Sequence, residues 1–234
     1  SSSAASDVYK RQGMLTGKLV TFEGPDGAGK TSALNAIVAK LQPQLGDRLV
    51  VTREPGGNQI SEAIRKIILD RHNTAMDDRT EALLYAAARR QHIVQTIQPA
   101  LQNDQLVLCD RYIDSSVAYQ GAGRGIGEQA VYDMNQFATA GLTADLTLYF
   151  DVDAAVGLNR IQQHRQNEIN RLDVEALSFH HRVQAAYLRL LADHPDRIKR
   201  VDASQPLDQV VTQALEIMAL QLPTYVASKG GEDQ

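Results

Sequence analysis

The chain of 234 residues holds a single cysteine, Cys109, which excludes an internal disulfide and any zinc site built from several thiolates. It also has no apolar stretch near the roughly 18 residues that a membrane span requires. A continuous apolar core close to the N-terminus is missing too, so a secretory signal is not expected there. Positive charge is not in excess, because 24 basic residues against 28 acidic ones leave a formal net charge of −4. That is the opposite of the footprint of nucleic-acid binders. These absences together predict a reducing, cytoplasmic setting, no membrane and no nucleic-acid partner, and a small ligand.

What is present is enough for one sizeable core, with 43% hydrophobic residues and a length within the range of one large domain. Residues 1–13 are small and polar and precede Met14; they are read as an appended, disordered leader. A single domain is expected over 14–222, followed by a mobile tail over 223–234.

Gly24-Pro25-Asp26-Gly27-Ala28-Gly29-Lys30-Thr31 spells G-x-x-x-x-G-K-[ST]. It lies between the apolar run Lys18–Glu23 and a stretch with apolar residues at Leu34, Ile37, Val38 and Leu41, a helical spacing. Strand, glycine loop and helix thus follow in the order a phosphate cradle needs, with backbone N–H groups and a helix N-terminus converging on phosphate oxygens. The pattern predicts that Lys30 reaches the β- and γ-phosphates, that the Thr31 hydroxyl ligates Mg²⁺, and that Ser32 lies at the edge of the ATP site.

Further strand-like runs occur at Arg48–Thr52, Gln105–Cys109, Asp145–Phe150 and Arg197–Val201, separated by helical spacing such as Leu207, Val210, Val211, Ala214, Leu215 and Met218. Such alternation predicts a three-layer α/β/α fold with a five-stranded parallel sheet, whose ligands bind beyond the carboxyl ends of the strands. The other motifs fall at such ends. Arg53-Glu54-Pro55-Gly56-Gly57 forms a turn in which Arg53 offers a planar fork to two oxygens. In Leu106-Val107-Leu108-Cys109-Asp110-Arg111-Tyr112, an apolar run leads to Asp110, a candidate for the magnesium shell, and to Arg111, aimed at the phosphates. A nucleotide-switched binding protein is the competing class; no Asn-Lys-x-Asp sequence occurs, and the loop has no second lysine early on.

These stretches, with Asp110 continuing through Ile113-Asp114-Ser115-Ser116-Val117-Ala118-Tyr119-Gln120-Gly121, resemble bacterial thymidylate kinases over about residues 16 to 221. The resemblance implies a nucleoside monophosphate kinase fold with a short lid at about 159–172, transfer of the γ-phosphoryl of ATP to dTMP with Mg²⁺, and a homodimer. It gives Arg53 and Arg111, with Glu54, Pro55 and Ser115 around them, to the dTMP phosphate and Asp26 to the sugar and magnesium region. Arg89, Ser116 and Gln120 go to the thymine edge, and Tyr119 to a position crowding a ribose 2′-hydroxyl. Asp202, Ala203 and Gln205 go to adenine, although Asp202 to Pro206 also reads as an ordinary helix start that Ser204 could cap. Tyr85 stands where the family commonly has phenylalanine against thymine.

Gly27 stands where one branch of the family carries an arginine, so the resemblance assigns the catalytic cation to the lid, to Arg165 and Arg171 rather than Arg160. Many relatives have aspartate where this chain has Asn170. Kinases of dUMP or dCMP remain the alternative, since thymine and uracil differ by one methyl.

Overall fold

The computed structural model describes residues 15–164, 172 and 175–227. Five strands, β1 (Lys18–Glu23), β2 (Leu49–Arg53), β3 (Leu106–Asp110), β4 (Leu146–Asp151) and β5 (Ile198–Asp202), form one sheet in the order β2-β3-β1-β4-β5. All of its pairings are parallel. β1 is therefore central, and the phosphate loop leaves from the middle of the sheet.

Helices fill the crossovers that parallel pairing demands. They are α1 (Lys30–Leu45), α2 (Gln59–Leu69), α3 (Asp78–His92), α4 (Gln98–Gln102), α5 (Ile113–Ser116), α6 (Glu128–Thr139), α7 (Ala154–His164), α8 (Leu177–Asp193) and α9 (Leu207–Gln221). Wider π-turns, Ile93–Ile97 and Val117–Gly123, continue α3 into α4 and extend α5. Asp77 caps α3 by accepting from the N–H groups of Arg79 and Thr80.

Alternation along β1 divides the core. Val20 and Phe22 face the layer with α1 and α9, where Ile37, Leu41, Val211 and Met218 are buried, and the Phe22 and Phe150 rings stack 5.7 Å apart. Leu19 faces the opposite layer with Val107, Cys109, Tyr149, Val183 and Tyr187. A strand buried on both faces needs apolar residues at both parities, which is why these runs read as continuous rather than alternating.

The strands after β1 each begin and end one residue later than the sequence reading placed them. An apolar run stops at its last apolar residue, whereas the ladder carries on through the polar residue beyond, as in the partner positions Arg53↔Asp110 and Asp151↔Asp202. Those added residues stand at the carboxyl edge where the site lies.

Candidate active site

A cleft of about 380 Å³ opens over the carboxyl ends of β1, β2 and β3. At one end lies the phosphate loop. Gly27 has φ +77°, and a Cβ there would meet the carbonyl oxygen of Gly157 at 2.0 Å, so the loop rests directly on the first turn of α7. Lys30 is buried, and its ammonium donates to the carbonyls of Gly24 (2.9 Å) and Pro25 (2.8 Å). Burial, with the neighbouring Arg111 charge, lowers its pKa to about 8. Asp26, Gly27, Gly29, Lys30, Thr31 and Ser32 line the cleft; Gly24, Pro25 and Ala28 do not.

Beside the loop, Thr31 Oγ1 donates to Asp110 Oδ2 (3.2 Å). Asp110 Oδ1 is buried without a hydrogen-bond partner among the described residues. A buried carboxylate oxygen left open beside a hydroxyl suits a hard cation with oxygen ligands.

Arg111 follows β3 with φ +70°, a left-handed conformation that costs a non-glycine residue roughly 1–2 kcal/mol and clusters at functional sites. Its Nη2 donates to Asp26 Oδ1 (2.7 Å), and its Nη1 to the Gly24 carbonyl (3.1 Å) and Ser115 Oγ (3.0 Å). The Tyr119 hydroxyl donates to Asp26 Oδ2 (2.9 Å) and accepts the Asp26 N–H (3.0 Å). Burial works against ionisation of Asp26, but the charges of Arg111 and Lys30 outweigh it and hold the carboxyl well below its usual range.

Across the cleft, Arg53 pairs with Glu62 (2.9 Å), and Arg65 donates to the Pro55 carbonyl (2.9 Å). Further in, Glu54 is buried, taking Arg89 Nε (2.6 Å) on one oxygen and His92 Nδ1 (2.9 Å) on the other. Arg89 also donates to Ser116 Oγ, Asn135 Oδ1 and the Tyr112 carbonyl. Of its five N–H groups, one on Nη2 is thereby left uncommitted among the described residues. Tyr85, Ser116, Tyr119 and Gln120 complete this end of the wall. Burial pushes the Tyr85 hydroxyl up to about 12.

Asp202, Ala203 and Gln205 do not line this cleft. They join it through Arg160, whose Nη1 donates to the carbonyls of Gly27 (3.4 Å) and Ala203 (3.2 Å). Ser204 does not cap α9. Its hydroxyl instead donates to Asp202 Oδ1 (2.6 Å), because the short loop turns on the aspartate. Arg165, Asn170 and Arg171 lie outside the described residues.

Sequence reasoning missed Arg65 and Leu69 on the wall and Glu23 behind it; Leu172, also on the wall, falls within the stretch read as the lid. Glu23 ends β1 fully buried, accepting the Tyr112 N–H (2.6 Å), the Ser115 hydroxyl and the Tyr187 hydroxyl (2.9 Å); burial, then the Asp114 charge, raises its pKa. Asp114, part of the longest motif, is held by both Nη atoms of Arg197 (2.6 and 2.9 Å) and so ties α5 to the start of β5. Arg65 and Tyr187 sit on helices with no motif of their own, so no local signal marked them.

A phosphate loop on a central parallel strand, an aspartate at the end of the neighbouring strand and arginines across one cleft define a P-loop phosphotransferase of the nucleoside monophosphate kinase kind. Comparison with known proteins agrees. The family model described as thymidylate kinase matches residues 22–214. A thymidylate kinase of Latilactobacillus sakei is 70% identical over 88% of this chain and 96% of its own length, and one of Levilactobacillus brevis is 66% identical over 90% and 99%. The crystal structure of the Ehrlichia chaffeensis thymidylate kinase superposes with a TM-score of 0.71 at 28% identity, covering 86% of this chain and 98% of that one. The chain belongs to the thymidylate kinase family.

Proposed function

We propose that this chain is a dTMP kinase, transferring the γ-phosphoryl group of ATP to the 5′-phosphate of dTMP. The observation that carries the reading is that one cleft is lined by a cationic phosphate cradle, by Arg111 bonded to that cradle, and by the guanidinium groups of Arg53 and Arg65. Two anionic nucleotides brought end to end need that arrangement.

In this reading Lys30 neutralises the donor phosphates, while Arg53 and Arg111 hold the acceptor phosphate. No general base is needed, because the second pKa of a phosphate monoester is about 6 and the acceptor is already an anion. Asp26 meets the sugar hydroxyl and, with Tyr119, narrows the space for a ribose 2′-hydroxyl. Tyr85 stacks on the base, whose edge is read by Arg89, Ser116 and Gln120. Asp202, Ala203 and Gln205 lie against adenine. Thr31 and Asp110 hold Mg²⁺; the open Asp110 Oδ1 supports this. When bound, Mg²⁺ supplies charge neutralisation to the phosphates. The Gly157 carbonyl leaves no room for a side chain at position 27, so a further cation comes from another element. Arg165 and Arg171 are our candidates for it.

The protein works in the cytoplasm as a homodimer. Exposed Ile60 and Ile67 on α2, Leu83 on α3, Val94 just after it and Phe137 on α6 (91% exposed) support an apolar partner face. Release of ADP coupled to an NADH readout tests the activity: it should require dTMP as well as ATP and magnesium, and ADP release indifferent to dTMP refutes the reading.

A further inference from the structure

Gln120 is 1% exposed, lies in the π-turn segment after α5 and lines the cleft. Its carboxamide has two unlike ends, an oxygen that only accepts and a nitrogen that donates two hydrogens. One of those hydrogens goes to Glu81 Oε1 (2.9 Å). Glu81 is fully buried in α3 and is gripped by the fork of Arg124, Nε on Oε1 (3.2 Å) and Nη2 on Oε2 (3.1 Å). Arg124 is itself fixed by Glu175 and by the Phe179 ring, 5.0 Å from its guanidinium carbon.

Both oxygens of this carboxylate are thus already engaged as acceptors of N–H donors. Turning the Gln120 amide over would set its oxygen against a carboxylate oxygen in a buried site, where two acceptors have no proton to share. The flipped amide is therefore excluded. Among the described residues nothing else takes Oε1 or the second Nε2 hydrogen, which leaves an acceptor beside a donor for the cleft that Gln120 lines.

We propose that Glu81, clamped by Arg124, is a positioning residue that sets base preference by locking the Gln120 amide. The locked edge complements the imide edge of a 2,4-dioxopyrimidine, where N3–H lies beside the acceptor O4. It opposes a 4-aminopyrimidine, which presents an acceptor N3 beside an amino donor. The inference rests on Gln120 facing the base, and it concerns the choice between thymine-type and cytosine-type bases, not the thymine methyl.

The test is the ratio of kcat/KM for dTMP to that for dCMP, with ATP saturating. Glu81→Gln puts an amide that can donate or accept beside Gln120, so the lock is released without change of shape. The ratio should move toward dCMP by about tenfold or more, the loss typical of mispaired buried polar groups, while kcat with dTMP stays within about threefold. In a Gln120→Ala background, Glu81→Gln should leave the ratio unmoved. A folded Glu81→Gln enzyme whose ratio stays within about twofold of the parent overturns the lock, as does a shift that persists without Gln120. Gln120→Ala alone should also change the ratio; no change there would refute the base-facing reading itself, a separate failure. If Glu81→Gln does not fold by circular dichroism, the exchange Glu81→Gln with Gln120→Glu restores one donor and one carboxylate and still offers an acceptor to N3–H. It should prefer dTMP to dCMP, and equal use of the two would count against the proposal.

Discussion

Replacing Gly157 with alanine adds one methyl group at the place where α7 meets the phosphate loop. An ideal Cβ there would lie 2.6 Å from the Asp26 carbonyl oxygen, a backbone atom, against 3.4 Å for an ordinary contact. Loop or helix must therefore retreat by about 0.8 Å in a close-packed region. Thermodynamically the change is cushioned, since alanine within a helix gains roughly 0.5–1 kcal/mol over glycine against an overpacking cost of about 1–3 kcal/mol. Catalytically it is not cushioned. Asp26 carries the N–H bonded to Tyr119 and the carboxylate paired with Arg111, so its displacement shifts both of these contacts. A misplacement near 1 Å can cost about 10²-fold in rate. The expected result is a fall in kcat of ten- to a hundredfold with a melting temperature within a few degrees of the parent, read by the coupled ADP assay and by thermal unfolding. Activity within threefold of the parent at unchanged melting temperature would show that loop and helix do not touch as described.

Further outcomes follow from the same geometry. The folded pKa of Lys30, about 8, lies below its unfolded 10.5, so the destabilisation from burying its charge is fully present below about pH 8 and is relieved as pH rises toward 10.5. Free-enzyme titration governs kcat/KM; for ATP it should drop above about pH 8 while kcat persists to higher pH, and a Lys30→Arg profile lacking that inflexion would confirm the source. Tyr85→Phe should keep kcat/KM for dTMP within about threefold, whereas Tyr85→Ala should lose at least tenfold if the ring stacks. Asp110→Asn should raise the magnesium concentration needed for half-maximal rate several-fold without changing the KM for dTMP, measured by metal titration. Phe137→Glu, at a 91% exposed side chain of the proposed dimer face, should shift the proposed homodimer toward monomer in analytical ultracentrifugation.

The phosphate loop, the strands and the residues just past strand ends were legible because each is local. Glycines, an apolar run and a helical spacing within about 25 residues fix a strand, a cradle and a helix, whatever the rest of the chain does. Asp110 and Arg111 could be read for the same reason, as the polar close of an apolar run, although ladder pairing carried that run one residue further than its apolar limit. The strand order was not written in any segment. It arises from which faces bury against which, and it brings Arg53 and Asp110 to opposing positions in the ladder. Glu23 with Tyr187, Arg65 with Pro55, and Glu81 with Gln120 and Arg124 became visible only in the folded chain. Each joins groups far apart in the chain through a polar contact, and a polar group selects its partners by distance in space, which no periodicity along the chain records.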